Sequence, residues 1–426
     1  MKHKKTTLKN GLRLITIPMS GGTQTVTVIV MVGVGSRYEK DIEAGISHFI
    51  EHMFFKGTEK RPTTLDISTE LDSVGGEFNA FTGKDRTAYY VKVDARHLDR
   101  ALDVVADMYL NSKLEEKEIN KERGTILQEL NMYEDTPTAN VGDTFENLMY
   151  GKNPLGREII GYKYTLLKMK RKDLVDYMGR FYMANDTVIT IAGKFNEKAT
   201  IKKIKKYFGE MGKGEKPRIV KFKDTQKEPQ VKIKFKKTDQ THFILGTRAY
   251  DIFSPHRFAL SLLSIILGGN MSSRLFVEIR EKRGLAYYVR STVESHHDTG
   301  YLSVQAGVEH KNLDLAISTI VKEFKKMAKF GVSEKELQRA KDYVKGKTVM
   351  GMEESDEVAM FFAGQETMKK EIMTTEEIFK HFDRVKTSDI LRVAKDIFKN
   401  NKYNLAVIGP HSNGGKFKKL LENNVQ

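Results

Sequence analysis

Tyr89-Tyr90-Val91-Lys92-Val93, followed by Leu98-Asp99-Arg100-Ala101, reads as a β-strand running into a helix, and the same order returns downstream in Tyr301 to Ala306 and Leu313-Asp314-Leu315-Ala316. The offset is 215 residues. Glu116-Lys117-Glu118-Ile119 has its counterpart in Glu334-Lys335-Glu336-Leu337 at an offset of 218, and Asp173-Leu174 with the strand Thr187 to Gly193 matches Asp389-Ile390 with Asn404 to Gly409 at 216. Three matches at nearly one offset mean an internal duplication. The fold class expected is therefore α+β, with two homologous α/β-sandwich domains whose sheets are mostly antiparallel and carry helices on one face. The domains fall at 1–211 and 229–426, and the lysine-rich, proline-containing segment 212–228 links them.

Working outward from the first strand-helix pair, Thr6 to Ile17 alternates around Asn10-Gly11 and predicts a tight hairpin. Thr25 to Val34 is a β-rich run, and a charged loop separates it from a helix around His48. Thr64 to Val74 is a second helix, ended by Gly75-Gly76, and Glu77 to Thr82 and Thr87 to Val93 alternate as strands. The segment Glu115 to Met132 reads as a further helix.

Composition narrows what such a chain does. With 426 residues, 39% hydrophobic and 30% charged, it has the balance of a folded globular protein and no reason for disorder. It contains no cysteine, so a transition-metal site must use imidazole and carboxylate ligands. A net charge of +16 permits an anionic partner, yet lysines interleave with acidic residues as on solvated helices, and no nucleic-acid module is recognisable. The apolar run Val26 to Val34 is too short to span a bilayer and is followed by Arg37, Glu39 and Lys40 rather than a cleavage site. The expectation is a cytoplasmic protein with no nucleic-acid and no membrane partner.

The chemistry concentrates in Gly45-Ile46-Ser47-His48-Phe49-Ile50-Glu51-His52-Met53-Phe54-Phe55-Lys56-Gly57-Thr58. His48 and His52 are four apart, so a helix stacks them on one face, where they can hold one ion. Glu51 projects near the same point and can take a proton from water. This is the H-x-x-E-H pattern. At the duplication offset His48, Glu51 and His52 fall on Leu263, Ile266 and Leu267, so the second copy uses these positions for core packing. Polar residues kept in one copy only point to chemistry, because two imidazoles and a carboxylate are costly to bury unpaired. Two histidines need a carboxylate as third ligand. The helix Glu115 to Met132 offers Glu122 and Glu129, seven apart and nearly on one face.

The sequence resembles the pitrilysin and mitochondrial-processing-peptidase family of inverted-motif zinc metallopeptidases over most of its length. Glu122-Arg123-Gly124-Thr125-Ile126-Leu127-Gln128-Glu129 matches that family's E-R-x-x-I-x-x-E segment and ends 77 residues after His52. The resemblance implies one Zn²⁺ per subunit on His48, His52 and Glu129, with Glu51 as general base and Glu122 as a supporting carboxylate of the catalytic site. Gly75-Gly76-Glu77-Phe78-Asn79-Ala80-Phe81-Thr82 looks like the family's edge strand, to which an extended peptide adds through main-chain hydrogen bonds. Phe78, Asn79 and Ala80 are its substrate-binding candidates. Leu267 to Phe276 and Arg280-Glu281-Lys282-Arg283-Gly284-Leu285-Ala286-Tyr287 resemble the second substrate-binding segment, in which Arg280 and Tyr287 support the scissile carbonyl. The implied protein is an endopeptidase for unfolded, extended peptides, working in a chamber that a two-domain chain completes as a homodimer. The alternatives are a non-catalytic scaffold or peptide-binding homologue, and a metal-independent binding protein for charged partners.

Overall fold

The computed structural model describes residues 1–215, 218–369 and 371–423. Lys216 and Pro217 of the 212–228 segment lie outside that set. Eleven strands are seen among the described residues: β1 (Lys4–Thr7), β2 (Arg13–Pro18), β3 (Thr25–Val32), β4 (Glu77–Thr82), β5 (Thr87–Asp94), β6 (Thr187–Gly193), β7 (Gln230–Phe235), β8 (Thr241–Ala249), β9 (Ala286–Ser295), β10 (Gly300–Val308) and β11 (Tyr403–Gly409). They form a six-stranded sheet in the order β1-β2-β6-β3-β5-β4 and a five-stranded sheet in the order β7-β11-β8-β10-β9. Remove β1 and the two orders superimpose strand for strand. The β2–β6 and β7–β11 pairs are parallel and the other pairs antiparallel. Duplication and mixed sheets are thus both present in the fold.

In the first sheet, Val26, Val28 and Val30 point to one face, packed against α1 (Ile46–Met53), α2 (Thr64–Asp72), α3 (Leu98–Asn111) and α4 (Glu116–Asp135). Their alternates Ile29 and Met31 point the other way, and every residue of β6 is buried, so this sheet needs a cover on both faces. The second cover is a helix from the far end of the chain. Val358, Ala359, Phe362 and Ala363 of helix Ser355–Lys369 pack on Ile15, Ile17, Ile29, Met31, Val188 and Ala192. Ser355 bonds Thr25 and Thr27 at 3.1 and 2.8 Å, and the buried Arg13 and Glu366 pair at 3.2 Å near the other end.

The second sheet shows the reciprocal arrangement. Helix α5 (Pro137–Tyr150) lays Val141, Phe145 and Met149 on Ile244, Ala406 and Ile408. Alternate lysines of β7 fix its flank: Lys232 reaches Asn147 at 2.5 Å and Lys234 reaches Asn140 at 2.9 Å. The compact units therefore interleave along the chain. One comprises Met1–Asn131, Arg157–Val220 and Thr348–Thr374, the other Met132–Gly156, Lys221–Lys347 and Thr375–Gln426. The split at 212–228 follows chain order, whereas in space each half lends one helix to the other's sheet. Among the described residues no helix is long and apolar enough to cross a membrane.

Candidate metal centre

The helix carrying the two histidines is short and placed by its ends. Gly45 precedes it with φ 95°, a left-handed conformation, and a Cβ there would lie 2.5 Å from the Ile160 carbonyl oxygen, so glycine is required. The buried Glu39 carboxylate accepts from the backbone N–H groups of Gly45 and Ser47, both at 2.9 Å, and so closes the first turn. Burial pushes the Glu39 carboxyl up to about 7, with these backbone donors pulling the other way. Ile46, Phe49, Ile50 and Met53 fill the core, which leaves His48, Glu51 and His52 on the opposite, half-buried face.

Helix α4 supplies the carboxylates. His48 Nε2 lies 3.7 Å from Glu129 Oε1, and His52 Nε2 lies 3.4 Å from Glu129 Oε2. One ligand atom from each of His48, His52 and Glu129 lies within 4.8 Å of the others. Ligands about 2.0–2.1 Å from a tetrahedral zinc stand roughly 3.3 Å apart, so these two separations, one to each Glu129 oxygen, are of the size that donors take around one ion. The other His52 nitrogen, Nδ1, is 2.8 Å from Glu122 Oε1, and Glu122 is 3% exposed. A proton held on Nδ1 by this carboxylate leaves the Nε2 lone pair facing Glu129 and free for a metal. His48 Nδ1 is buried without a hydrogen-bond partner among the described residues.

Without an ion, the two imidazoles diverge. Burial, and then the nearby His52, push His48 down to about 4. Burial also acts to lower His52, but hydrogen bonds to Glu122 and Glu129 outweigh it and raise the group to about 9. Glu129 is held below the usual carboxylate range, mainly by the His52 contact. For Glu122, burial acts upward and the His52 and Lys56 contacts prevail downward. Glu51 moves the other way. Its burial raises the carboxyl, and a 2.5 Å hydrogen bond donated by Thr82 takes back part of the shift. The centre therefore sets two carboxylates held toward their charged form, Glu122 and Glu129, beside Glu51, whose carboxyl burial pushes up.

Beside it runs β4, the outer strand of the first sheet, hydrogen-bonded to β5 on one edge only. Phe78, Ala80 and Thr82 alternate toward α1: the Phe78 ring is 6.2 Å from that of Phe55, and Thr82 holds Glu51. Asn79 is exposed, with its side-chain oxygen accepting from the Ala80 N–H at 2.8 Å. In the second unit, Arg280 on the helical segment Phe276–Glu281 sets its guanidinium 5.2 Å over the Tyr287 ring, which is 78% exposed. Leu263, Ile266 and Leu267, the counterparts of the metal-site residues, are core side chains of helix Arg257–Gly268.

Sequence reasoning missed three residues of this arrangement: Glu39, Thr82 and Lys56, whose Nζ lies 2.7 Å from Glu122 Oε2. For Lys56 the four-residue spacing from His52 carries no signal, because α1 ends at Met53. Thr82 is two positions beyond Ala80 on the same strand face.

Comparison with known proteins gives this geometry its relatives. Residues 15–163 match the insulinase domain of peptidase family M16, and residues 168–344 match the peptidase M16 inactive domain. An uncharacterized zinc protease of Bacillus subtilis, YmxG, is 34% identical over 96% of this chain and 99% of its own length. The chain belongs to peptidase family M16. An uncharacterized zinc protease of Rickettsia bellii is 35% identical over 96% of this M16 chain and 98% of its own. A Helicobacter pylori protease of known crystal structure matches with TM-score 0.90 and 25% identity, covering 96% of this chain and 99% of that one. The M16 inactive-domain structure from Pseudomonas fluorescens, at 16% identity and TM-score 0.87, shares the fold.

Proposed function

We propose that the chain is a zinc-dependent endopeptidase that cleaves extended or unfolded peptides. One observation carries this reading: the donors of His48, His52 and Glu129 converge beside a base, Glu51, that is tied to the open edge strand β4. His48, His52 and Glu129 would hold Zn²⁺, which when bound acidifies water and polarises a carbonyl. Glu51 accepts the proton of the attacking water and returns it to the leaving amine. Glu122 orients His52. An extended substrate pairs with β4 beside Phe78, Asn79 and Ala80, which brings its backbone past Glu51. Arg280 and Tyr287 bind the scissile carbonyl as charge builds on its oxygen. In a homodimer these two residues serve the centre of the other subunit.

The test is metal content of the purified protein, together with cleavage of an unstructured peptide before and after chelation and after zinc is restored. Stoichiometric zinc with cleavage lost and regained establishes the reading. Stoichiometric zinc with no cleavage of any extended peptide leaves a scaffold, and peptide binding without zinc leaves a metal-independent binding protein.

A further inference from the structure

We infer that Lys56 is a positioning residue of the metal centre, acting on His52 through Glu122. The inference rests on the zinc reading above and deepens it. The two Glu122 oxygens are divided between two partners: Oε1 takes the His52 Nδ1 contact at 2.8 Å and Oε2 takes Lys56 Nζ at 2.7 Å. Lys56, Glu122 and His52 thus form a chain that ends at the Nε2 ligand atom.

Charge gives the chain its purpose. The Glu122 carboxylate is only 3% exposed, and Lys56 sets an ammonium 2.7 Å from the oxygen that His52 does not occupy. A buried carboxylate without a countercharge is costly. Lys56 is that countercharge on the Oε2 side. With Lys56 in place, Glu122 stays an acceptor for Nδ1 and is not driven toward the metal as a rival ligand.

The surrounding turn makes this contact a built feature. Lys56 is half-buried, and its N–H bonds the Met53 carbonyl at 3.0 Å as α1 ends. Gly57 follows with φ +125°, where a Cβ would lie 2.3 Å from the Pro62 carbonyl oxygen. Thr58 then donates to Asp107 at 2.6 Å, and the nearly inaccessible Arg61 spans Glu70, Asp103 and Asp107 at 2.6, 2.6 and 2.7 Å. A turn pinned by three carboxylates delivers the lysine in one place, so little side-chain freedom is lost in making the contact.

The experiment measures zinc affinity of the full chain by competition with a chromophoric chelator, for wild type, Lys56→Met, Lys56→Gln, Lys56→Arg, Glu122→Gln and the double variant Lys56→Met/Glu122→Gln. The two neutral variants are expected to weaken zinc binding roughly 10- to 100-fold, the range seen when a ligand's outer partner is lost. Lys56→Arg restores most of it. In the Glu122→Gln background, Lys56→Met changes affinity by less than about twofold, because the carboxylate it balances is gone. Unchanged affinity in both neutral variants overturns the inference, and so do independent, multiplying effects in the double variant. A wild-type protein that binds no zinc would instead sink the parent reading.

Discussion

The Thr82 hydroxyl donates to the Glu51 carboxylate across 2.5 Å, joining the last residue of β4 to the helix that carries both histidines. The contact fixes one oxygen of the base. Replacing Thr82 by valine keeps the shape and removes a hydrogen bond to a charged group, worth about 1.5–3 kcal/mol. We expect kcat to fall roughly 10- to 100-fold with KM little changed, and Thr82→Ser to recover most of the loss. Steady-state kinetics on one extended peptide decides this. A rise in KM alone would place Thr82 in substrate binding.

Glu51→Gln should retain zinc and lose cleavage by about 10²- to 10⁴-fold, since an amide fills the space without accepting the proton. Glu129→Gln should instead lose zinc, as a neutral amide replaces an anionic ligand. Metal analysis of the two purified variants separates the roles. Zinc lost from the first would make Glu51 a ligand, and zinc kept fully in the second would return the third-ligand role to Glu122.

Proline at Phe78 removes one main-chain donor from β4 and fixes φ, which an edge strand tolerates better than an inner one. If peptide substrates pair with β4, Phe78→Pro raises KM at least several-fold with zinc content unchanged. An unaltered KM in the folded, zinc-loaded variant would show that substrate docks elsewhere.

Arg280 and Tyr287 belong to the second compact unit, and His48, His52 and Glu129 to the first. A homodimer that shares its sites makes a clear prediction for mixtures of Glu51→Gln and Arg280→Ala subunits. Each heterodimer then contains one doubly damaged site and one intact site, so activity returns on mixing. Sites built within one chain stay damaged, and mixing restores nothing. Sedimentation at the assay concentration establishes whether the dimer exists.

Glu39 makes stability depend on pH in an unusual direction. Its native carboxyl sits at about 7 against 4.5 for the ordinary group, because burial penalises the charge. Between those values the folded state binds more protons than the unfolded one, so stability present below about pH 4.5 is lost as pH rises through 7, by up to about 3 kcal/mol. Urea titrations of metal-free protein at pH 5 and pH 8 should show a larger fall for wild type than for Glu39→Gln. Equal falls would mean that the helix N-terminus keeps Glu39 ionised throughout.

Much of the centre was legible in the letters. The four-residue spacing of His48 and His52, and the seven-residue spacing of Glu122 and Glu129, follow from helix geometry alone, and both pairs appear where that geometry puts them. What stayed hidden depends on contacts distant in sequence. Lys56 lies 66 positions before Glu122, and Thr82 lies 31 beyond Glu51, so neither spacing announces a contact. The exchange of helices was illegible for a related reason. Val141, Phe145 and Met149 repeat at helical spacing and so require a buried face, but periodicity names no sheet for that face to cover. The six- and five-stranded sheets likewise share one strand order, yet only the first gains β1, which the Asn10-Gly11 turn returns onto β2.

The exchanged helix also sets a timetable for biosynthesis. Thr25 and Ser355 are 330 residues apart, so the first sheet cannot receive its outer cover until most of the polypeptide has left the ribosome. Until then Ile15, Ile17, Ile29 and Met31 have no partner on that side, an apolar surface of the kind that chaperones bind and that aggregates when left alone. Neither half of the translated chain carries every helix that covers its own sheet. A protein nicked in the 212–228 segment should stay assembled, whereas the two halves expressed separately should each be insoluble and recover only when refolded together.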